Sequence, residues 1–258
     1  MIYSRHKQFN TRPRQLPCHK LIVQSFPRSG NHLVRAFIEI ATGKPTRGCP
    51  KTPSDAPIIL NYLNCDLHYR TMERTSKKHF IGYKSHFQLE YNQNKRDINR
   101  QGYKCLPICI FRDPKDAIKS HMCRAVNEGL TGEEDLDQWT KQTINLYQQT
   151  IDIFEYELGT MEQNVLALDF AGLVSKSHSA TWLKLYEFLR KYNFQLQIPA
   201  SEVESIVTAS KLIARGVSTS KARNTGLLNS DIIKSQLSKF EKDISALKEK
   251  ARECTTFN

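Results

Sequence analysis

Leu21 to Ile40, LIVQSFPRSGNHLVRAFIEI, is the stretch from which the fold can be read. Leu21, Ile22 and Val23 form the apolar run of a strand buried on both faces. The run breaks at Phe26-Pro27-Arg28-Ser29-Gly30, where Pro27 cannot extend a central strand and Gly30 accepts a positive φ. Beyond Asn31 the apolar residues fall at Leu33, Val34, Phe37, Ile38 and Ala41, the spacing of one helix face. The stretch reads as strand, tight loop, helix. A helix that starts directly after such a loop offers it unpaired N–H groups and the positive end of the helix dipole. That is an anion site, usually for phosphate, and Arg28 adds a planar cationic fork. An ordinary βα turn with a surface arginine would use the same residues. The nucleoside-triphosphate loop G-x-x-x-x-G-K-[ST] is absent, so phosphate binding needs a second grip elsewhere in the chain.

Composition sets the bounds. The 258 residues, 39% of them hydrophobic, suffice for one α/β domain with a substantial core. No run approaches the roughly 18 apolar residues of a membrane span. Residues 1–18 are basic and lack the apolar stretch of a secretory signal, so they read as a flexible arm ahead of a domain over 19–258. The net charge of 38 − 26 = +12 suits a polyanionic cofactor, an acidic polysaccharide, nucleic acid or an anionic membrane surface, without choosing among them. The seven cysteines show no metal-ligand spacing and suit a reducing, cytoplasmic compartment. Cys105 and Cys109 share one side of an apolar strand and read as core thiols, while a Cys49–Cys65 bridge stays open.

Further strands are expected at Phe80–Lys84, Leu106–Phe111 and Val165–Phe170. Between them lie helical patterns: part of 88–103, a helix from Asp113, then 135–158, 179–192, a short one near 201–209, and 231–252. Residues 42–79 read as loops around a short helix or strand at Ile58–Leu63, and 210–230 as a loop. The alternation predicts a single-domain α/β fold, a central parallel sheet flanked by helices, with the opening stretch as a P-loop-like phosphate-binding element. At the end of Leu106–Phe111 stands Arg112, followed by Asp113 as helix cap and Pro114 at the first helical position. Ligands of open α/β sheets bind outside the carboxyl ends of strands. Arg112 and Ser120, the latter on the following helix, make a second anion grip there.

PRSG opening a helix, followed by FRDPKDAIKSH, resembles the paired nucleotide motifs of sulfotransferases that use 3′-phosphoadenosine-5′-phosphosulfate (PAPS). The resemblance implies that Arg28, Ser29, Gly30, Asn31 and His32 hold the 5′-phosphosulfate, and that Arg112 and Ser120 hold the 3′-phosphate. Tyr83-Lys84-Ser85-His86 is similar to the family's K-T-H element, which gives His86 the role of general base. Ser220 to Gly226 looks like the late R-K-G-x-x-G loop over the 3′-phosphate, bringing in Lys221, Arg223, Asn224 and Gly226. VLALDFAGL, from Val165, resembles the strand and Y-E-D-L turn of the family, which places Phe170 near the adenine. Arg28 stands where many members carry lysine, Asn31-His32 replaces a Thr-Thr pair, and the Y-E-D-L acids are missing.

The implied reaction moves a sulfuryl group from PAPS to an acceptor hydroxyl, or an amine, and releases adenosine 3′,5′-bisphosphate. It needs a base for the acceptor proton, cations for the transferring group and leaving phosphate, and an in-line arrangement. His86 suits the first, with His32 as a rival, and Arg28 with Lys84 suits the second. No metal is expected. The acceptor reads as a small molecule or glycan, met by residues 42–79 and 121–138. Specific nucleic-acid binding is not expected, and the oligomeric state is open. The alternatives are a nucleotide-dependent phosphotransferase and a basic, non-enzymatic protein that binds nucleic acid or anionic glycan.

Overall fold

The computed structural model describes residues 19–48, 80–127, 136–160, 164–175, 179–217 and 231–255. The expected arm over 1–18, the Cys49–Cys65 pair, most of 42–79 and the loop carrying Lys221, Arg223, Asn224 and Gly226 lie outside them. The chain runs β1 (His19–Ser25), α1 (Asn31–Thr42), β2 (Thr46–Arg47), β3 (Gly82–Ser85), α2 (Gln88–Arg100), β4 (Lys104–Phe111) and α3 (Pro114–Asn127). It continues with α4 (Leu136–Gly159), β5 (Leu166–Asp169), α5 (Phe170–Val174), α6 (Ser179–Lys191), a 3-10 turn (Ala200–Glu202), α7 (Val203–Val217) and α8 (Asp231–Thr255). The five strands form one parallel sheet in the order β2-β3-β1-β4-β5.

The apolar run of β1 explains its central place. Leu21, Ile22 and Val23 are fully buried, because each face of the strand meets helices. Leu21 and Val23 join the α1 face of Leu33, Val34, Phe37, Ile38 and Ala41, together with Trp182 and Leu185 of α6 and Ile206 and Val207 of α7. Ile22 points the other way, toward Tyr91 and Ile98 of α2 and Ile153 of α4. Farther along that second face, Phe26, Cys109 and Phe111 meet Tyr147, Ile151 and Phe154 of α4 and Phe240 and Ile244 of α8. The apolar stripe of α8 is therefore a core face. The chain leaves β1 toward β2 and β3, then returns across it to β4, so the strand order reverses at the carboxyl ends of β1 and β4, where a crevice opens.

Three local expectations are corrected. The helix expected near 201–209 runs to Val217, eight residues into a stretch read as loop. Ser210 is buried there, its hydroxyl donating to the Ile206 carbonyl at 2.7 Å, so a residue typical of turns is satisfied within the helix. Strand β5 ends at Asp169, one residue before Phe170. The Asp169 carboxylate accepts the N–H of Ala171 and caps α5, and this turns Phe170 out of the sheet. Within the stretch read as loops after α1, Thr46–Arg47 pairs with β3. Glu39 of α1 accepts from the N–H and hydroxyl of Thr46, and Arg35 Nε donates to that hydroxyl at 2.8 Å, so buried charges on α1 hold the short edge strand.

Cys105, Cys109 and Cys123 are free thiols, and Cys109 is fully buried. Beside Cys105 and Cys109, Lys95 of α2 reaches Glu157 of α4 at 2.7 Å, and only 5% of the Glu157 side chain is exposed. A carboxylate so buried is stable there only with its cation. Lys95→Met is expected to cost about 3 kcal/mol of stability. The double variant Lys95→Met, Glu157→Met is expected to recover most of it, since no unpaired charge then remains. Urea denaturation of the three proteins checks this, and equal losses in both variants would contradict it.

Candidate nucleotide and catalytic site

Two residues of the β1–α1 loop are left-handed: Arg28 at φ 67° and Gly30 at φ 87°. Ser29 N–H closes the turn on the Phe26 carbonyl at 3.2 Å. Alternating handedness of this kind turns successive N–H groups toward one point, a nest for an anion. For arginine the conformation costs about 1 kcal/mol, strain of the kind found at binding sites. Gly30 caps α1 without any side-chain hydrogen bond, so the helix start is not occupied by a capping group. A Cβ on Gly30 would stand 2.9 Å from the Phe170 ring, so this glycine answers both its φ and a close approach.

Asn31 braces the loop from beneath. Its side-chain NH2 donates to the Val23 carbonyl at 2.8 Å and to Ser25 Oγ at 3.2 Å. Arg112, directly after β4, braces it from the side: Nη1 donates to the Arg28 carbonyl. The Arg112 guanidinium lies 4.5 Å over the Phe170 ring, and the Arg112 carbonyl accepts from Tyr147 Oη at 2.7 Å. Phe170, expected beside an adenine, is thus placed against Gly30 and Arg112. Ser29 Oγ and Arg112 Nε are buried with no hydrogen-bond partner among the described residues, polar groups that a phosphate would satisfy. Ser120 sits on α3, which starts with the Asp113 carboxylate accepting the Asp116 N–H at 3.0 Å.

His86 follows β3, with its Nδ1 2.7 Å from the Ser25 carbonyl oxygen. A carbonyl only accepts, so Nδ1 carries the proton and Nε2 keeps its lone pair, the tautomer that a base requires. The His86 backbone N–H donates to Glu90 Oε2 at 3.1 Å. Lys84 lies two residues earlier, and its carbonyl accepts from Asn94 Nδ2 at 3.0 Å.

No protein-family model and no curated protein matches the chain. Among solved structures, mouse sulfotransferase SULT7A1 complexed with PAP is similar over 92% of this chain and 89% of that one, with a TM-score of 0.52 and 14% identity. The fold is the sulfotransferase fold.

On this sulfotransferase fold the loop residues 28–32, Lys84, His86, Arg112 and Phe170 lie at the carboxyl ends of β1, β3, β4 and β5, and Ser120 stands on α3, the helix that follows Arg112. Two features had no signal in the motifs: the positive φ of Arg28 and the Ser25 carbonyl that sets the His86 tautomer. His121, the last residue of the FRDPKDAIKSH motif, has its ring edge-on to Phe26 at 5.5 Å. Among the described residues no cluster of His, Cys, Asp and Glu could hold a metal ion, and no helix is long and apolar enough to cross a membrane.

Burial, and then the nearby cations, keep the site's histidines neutral. Burial pushes His86 well below its ordinary range, Lys84 pushes it further, and the Ser25 carbonyl opposes the shift. His32 is pushed down to about 3, first by burial and then by Arg35, Lys84, Arg28 and Arg124. In the unfolded chain both titrate near 6.5. Their contribution to stability is therefore full above pH ~6.5 and is lost as pH falls, because the unfolded chain takes protons that the folded one refuses. His32→Gln is expected to flatten the decline between pH 6.5 and about 3 and to leave stability at pH 8 nearly unchanged. Urea midpoints against pH test this, and parallel curves for the two proteins would contradict it.

Proposed function

We propose that the chain is a PAPS-dependent sulfotransferase, with residues 19–258 as its catalytic domain and a cytoplasmic setting. The observation that carries this reading is one meeting at the sheet's carboxyl edge. An anion loop with Arg28, a second arginine with a buried unsatisfied Nε, and an imidazole in the basic tautomer converge there. The likeness to a PAP-bound sulfotransferase supports the same reading.

In the proposed reaction the loop N–H groups, Arg28, Ser29, Gly30, Asn31 and His32 receive the 5′-phosphosulfate. Asn31 contributes through its backbone N–H, since its side-chain NH2 is committed to β1. Neutral His32 offers a ring N–H. Arg112 and Ser120 hold the 3′-phosphate, with Phe170 beside the nucleotide and Lys221, Arg223, Asn224 and Gly226 completing the grip. The acceptor is a small molecule or glycan bearing a hydroxyl. His86 Nε2 takes the hydroxyl proton as the oxygen bonds to sulfur and the sulfur–oxygen bond to the phosphate breaks. Arg28 and Lys84 neutralise the charge that collects on the transferring group and the departing phosphate. A guanidinium stays protonated, so Arg28 stabilises charge and does not supply the proton.

Donor binding is tested by thermal unfolding with adenosine 3′,5′-bisphosphate (PAP), adenosine 5′-monophosphate, and ATP with Mg²⁺. PAP at about 100 times its Kd is expected to add roughly 2.7 kcal/mol, and Arg112→Ala to lose most of that shift. A shift with ATP and Mg²⁺ alone would replace this reading with a phosphotransferase. The base is tested by turnover. His86→Ala is expected to lose at least about 100-fold in kcat with the PAP shift retained. Because burial holds His86 well below 6.5, the wild-type rate is expected to persist as pH falls through 6.5, where an ordinary histidine base would already be protonated. An acid limb centred at 6.5, or full turnover by His86→Ala, would exclude the assignment.

A further inference from the structure

Tyr147, Ile151 and Phe154 of α4 fall at relative positions 0, +4 and +7 and share one buried face. Phe154 packs on Phe111, the last residue of β4, with ring centroids 4.6 Å apart. Tyr147, two turns earlier, meets the chain just past that strand end. Its ring contacts Phe26 of the β1–α1 loop at 4.9 Å and Phe240 of α8 at 5.1 Å. A phenylalanine would make those ring contacts equally well. The hydroxyl is what distinguishes this residue, and a phenol buried at 2% exposure is costly unless its O–H is bonded. It donates to the Arg112 carbonyl at 2.7 Å.

That carbonyl stands in a gap of the backbone network. The β4–β5 ladder ends with Phe111 against Asp169, and the β1–β4 ladder with Ile110 against Ser25. The bonds of α3 begin one residue after Arg112, where the Asp113 carbonyl accepts the Ala117 N–H at 2.9 Å. Arg112 therefore lies between sheet and helix, and Tyr147 holds its peptide there. The Arg112 side chain leans on the Arg28 carbonyl and on the face of Phe170, both parts of the nucleotide site. A long helix packed in the core thus fixes the backbone from which this guanidinium projects. Burial pushes the Tyr147 phenol well above its ordinary range, Asp113 raises it further and Arg112 opposes, so the hydroxyl keeps its proton and donates near neutral pH.

We propose that Tyr147 is a positioning residue for the donor: its hydroxyl fixes the Arg112 backbone so that the guanidinium meets the 3′-phosphate, and it thereby sets the preference for a 3′,5′-bisphosphate over a 5′-monophosphate. This rests on the sulfotransferase reading, in which Arg112 grips the 3′-phosphate. Tyr147 acts through Arg112 and not by contact with the nucleotide. Its part is to carry the rigidity of α4 into a stretch of backbone that the sheet has released and α3 has not yet taken up. A guanidinium on a fixed backbone loses less freedom when it closes on a phosphate, which is the gain of preorganisation.

The test measures, by calorimetry on the full chain, the Kd of PAP and of adenosine 5′-monophosphate, which differ only in the 3′-phosphate. The wild type is expected to favour PAP. Tyr147→Phe keeps the ring and is expected to reduce that preference about fivefold, the effect of one hydrogen bond, with the Kd of the monophosphate unchanged. In an Arg112→Ala background Tyr147→Phe is expected to change the preference no further, since no guanidinium is then left to position. Replacing Tyr147 by p-aminophenylalanine, which keeps an N–H donor at the same place, is expected to restore most of the preference. A Tyr147→Phe protein with the wild-type preference, an equal weakening of both nucleotides, or a loss of the same size in the Arg112→Ala background would overturn the proposal. So would a Tyr147→Phe protein that no longer folds, since the hydroxyl would then serve the fold and not the site. A wild type that binds both nucleotides alike removes the part given to Arg112 and this inference with it. A wild type that binds neither removes the sulfotransferase reading itself.

Discussion

Phe170 packs against the bare Cα of Gly30, and the geometry of the whole site hangs on that approach. With no Cβ in the way, the ring stands close against the loop, and the Arg112 guanidinium lies over it. Arg112 in turn holds the Arg28 carbonyl, and Asn31 ties the loop to β1 from below. A five-residue turn with two left-handed residues is thereby fixed by contacts from β4, α5 and its own strand. The strain at Arg28 is offset by neighbours distant in sequence, as the position of strained residues in binding loops generally requires.

The same framework governs the proton chemistry. His86 sits at the end of β3, beside the end of β1, because the two strands run parallel in register, Gln24 against Ser85. That register brings Nδ1 to the Ser25 carbonyl and leaves Nε2 as the basic nitrogen. Burial and then Lys84 hold the ring neutral, so tautomer and charge state agree with the role of a base. His32, in the loop itself, is kept neutral as well, by burial first and then by Arg35, Lys84, Arg28 and Arg124. A site collecting so much positive charge is prepared for a polyanion, and the excess of lysine and arginine in the chain is partly an account of that site.

The apolar alternations were the most legible part of the sequence. The runs at Leu21–Val23 and Leu106–Phe111 are strands, the face expected of α1 is its buried face, and helices stand where they were expected over 135–158, 179–192 and 231–252, because burial on one side imposes a period that composition cannot hide. The short edge strand Thr46–Arg47 had no such signal, being two residues held by Glu39 and Arg35. The extension of α7 through Ser210 ran against local preference and was decided by packing on α1 and α6. Phe170 read as the end of a strand because an aromatic suits one, but the Asp169 cap turns it into a helix.

The residue types that can grip a phosphate and take a proton were set by the sequence alone: a proline and glycine break before a helix, arginines at two strand ends, a histidine after a third. It determined the parallel α/β class as well, since buried two-sided strands alternating with one-sided helices allow few other layouts. What only the tertiary structure decided is how those groups face one another. The hydrogen bond that selects the His86 tautomer, the stacking of Arg112 on Phe170, the Arg112 contact to the Arg28 carbonyl and the packing of His121 on Phe26 each join residues tens of positions apart. Such contacts leave no period in the chain. They follow from strand register and helix packing, which are properties of the folded sheet and not of any one segment.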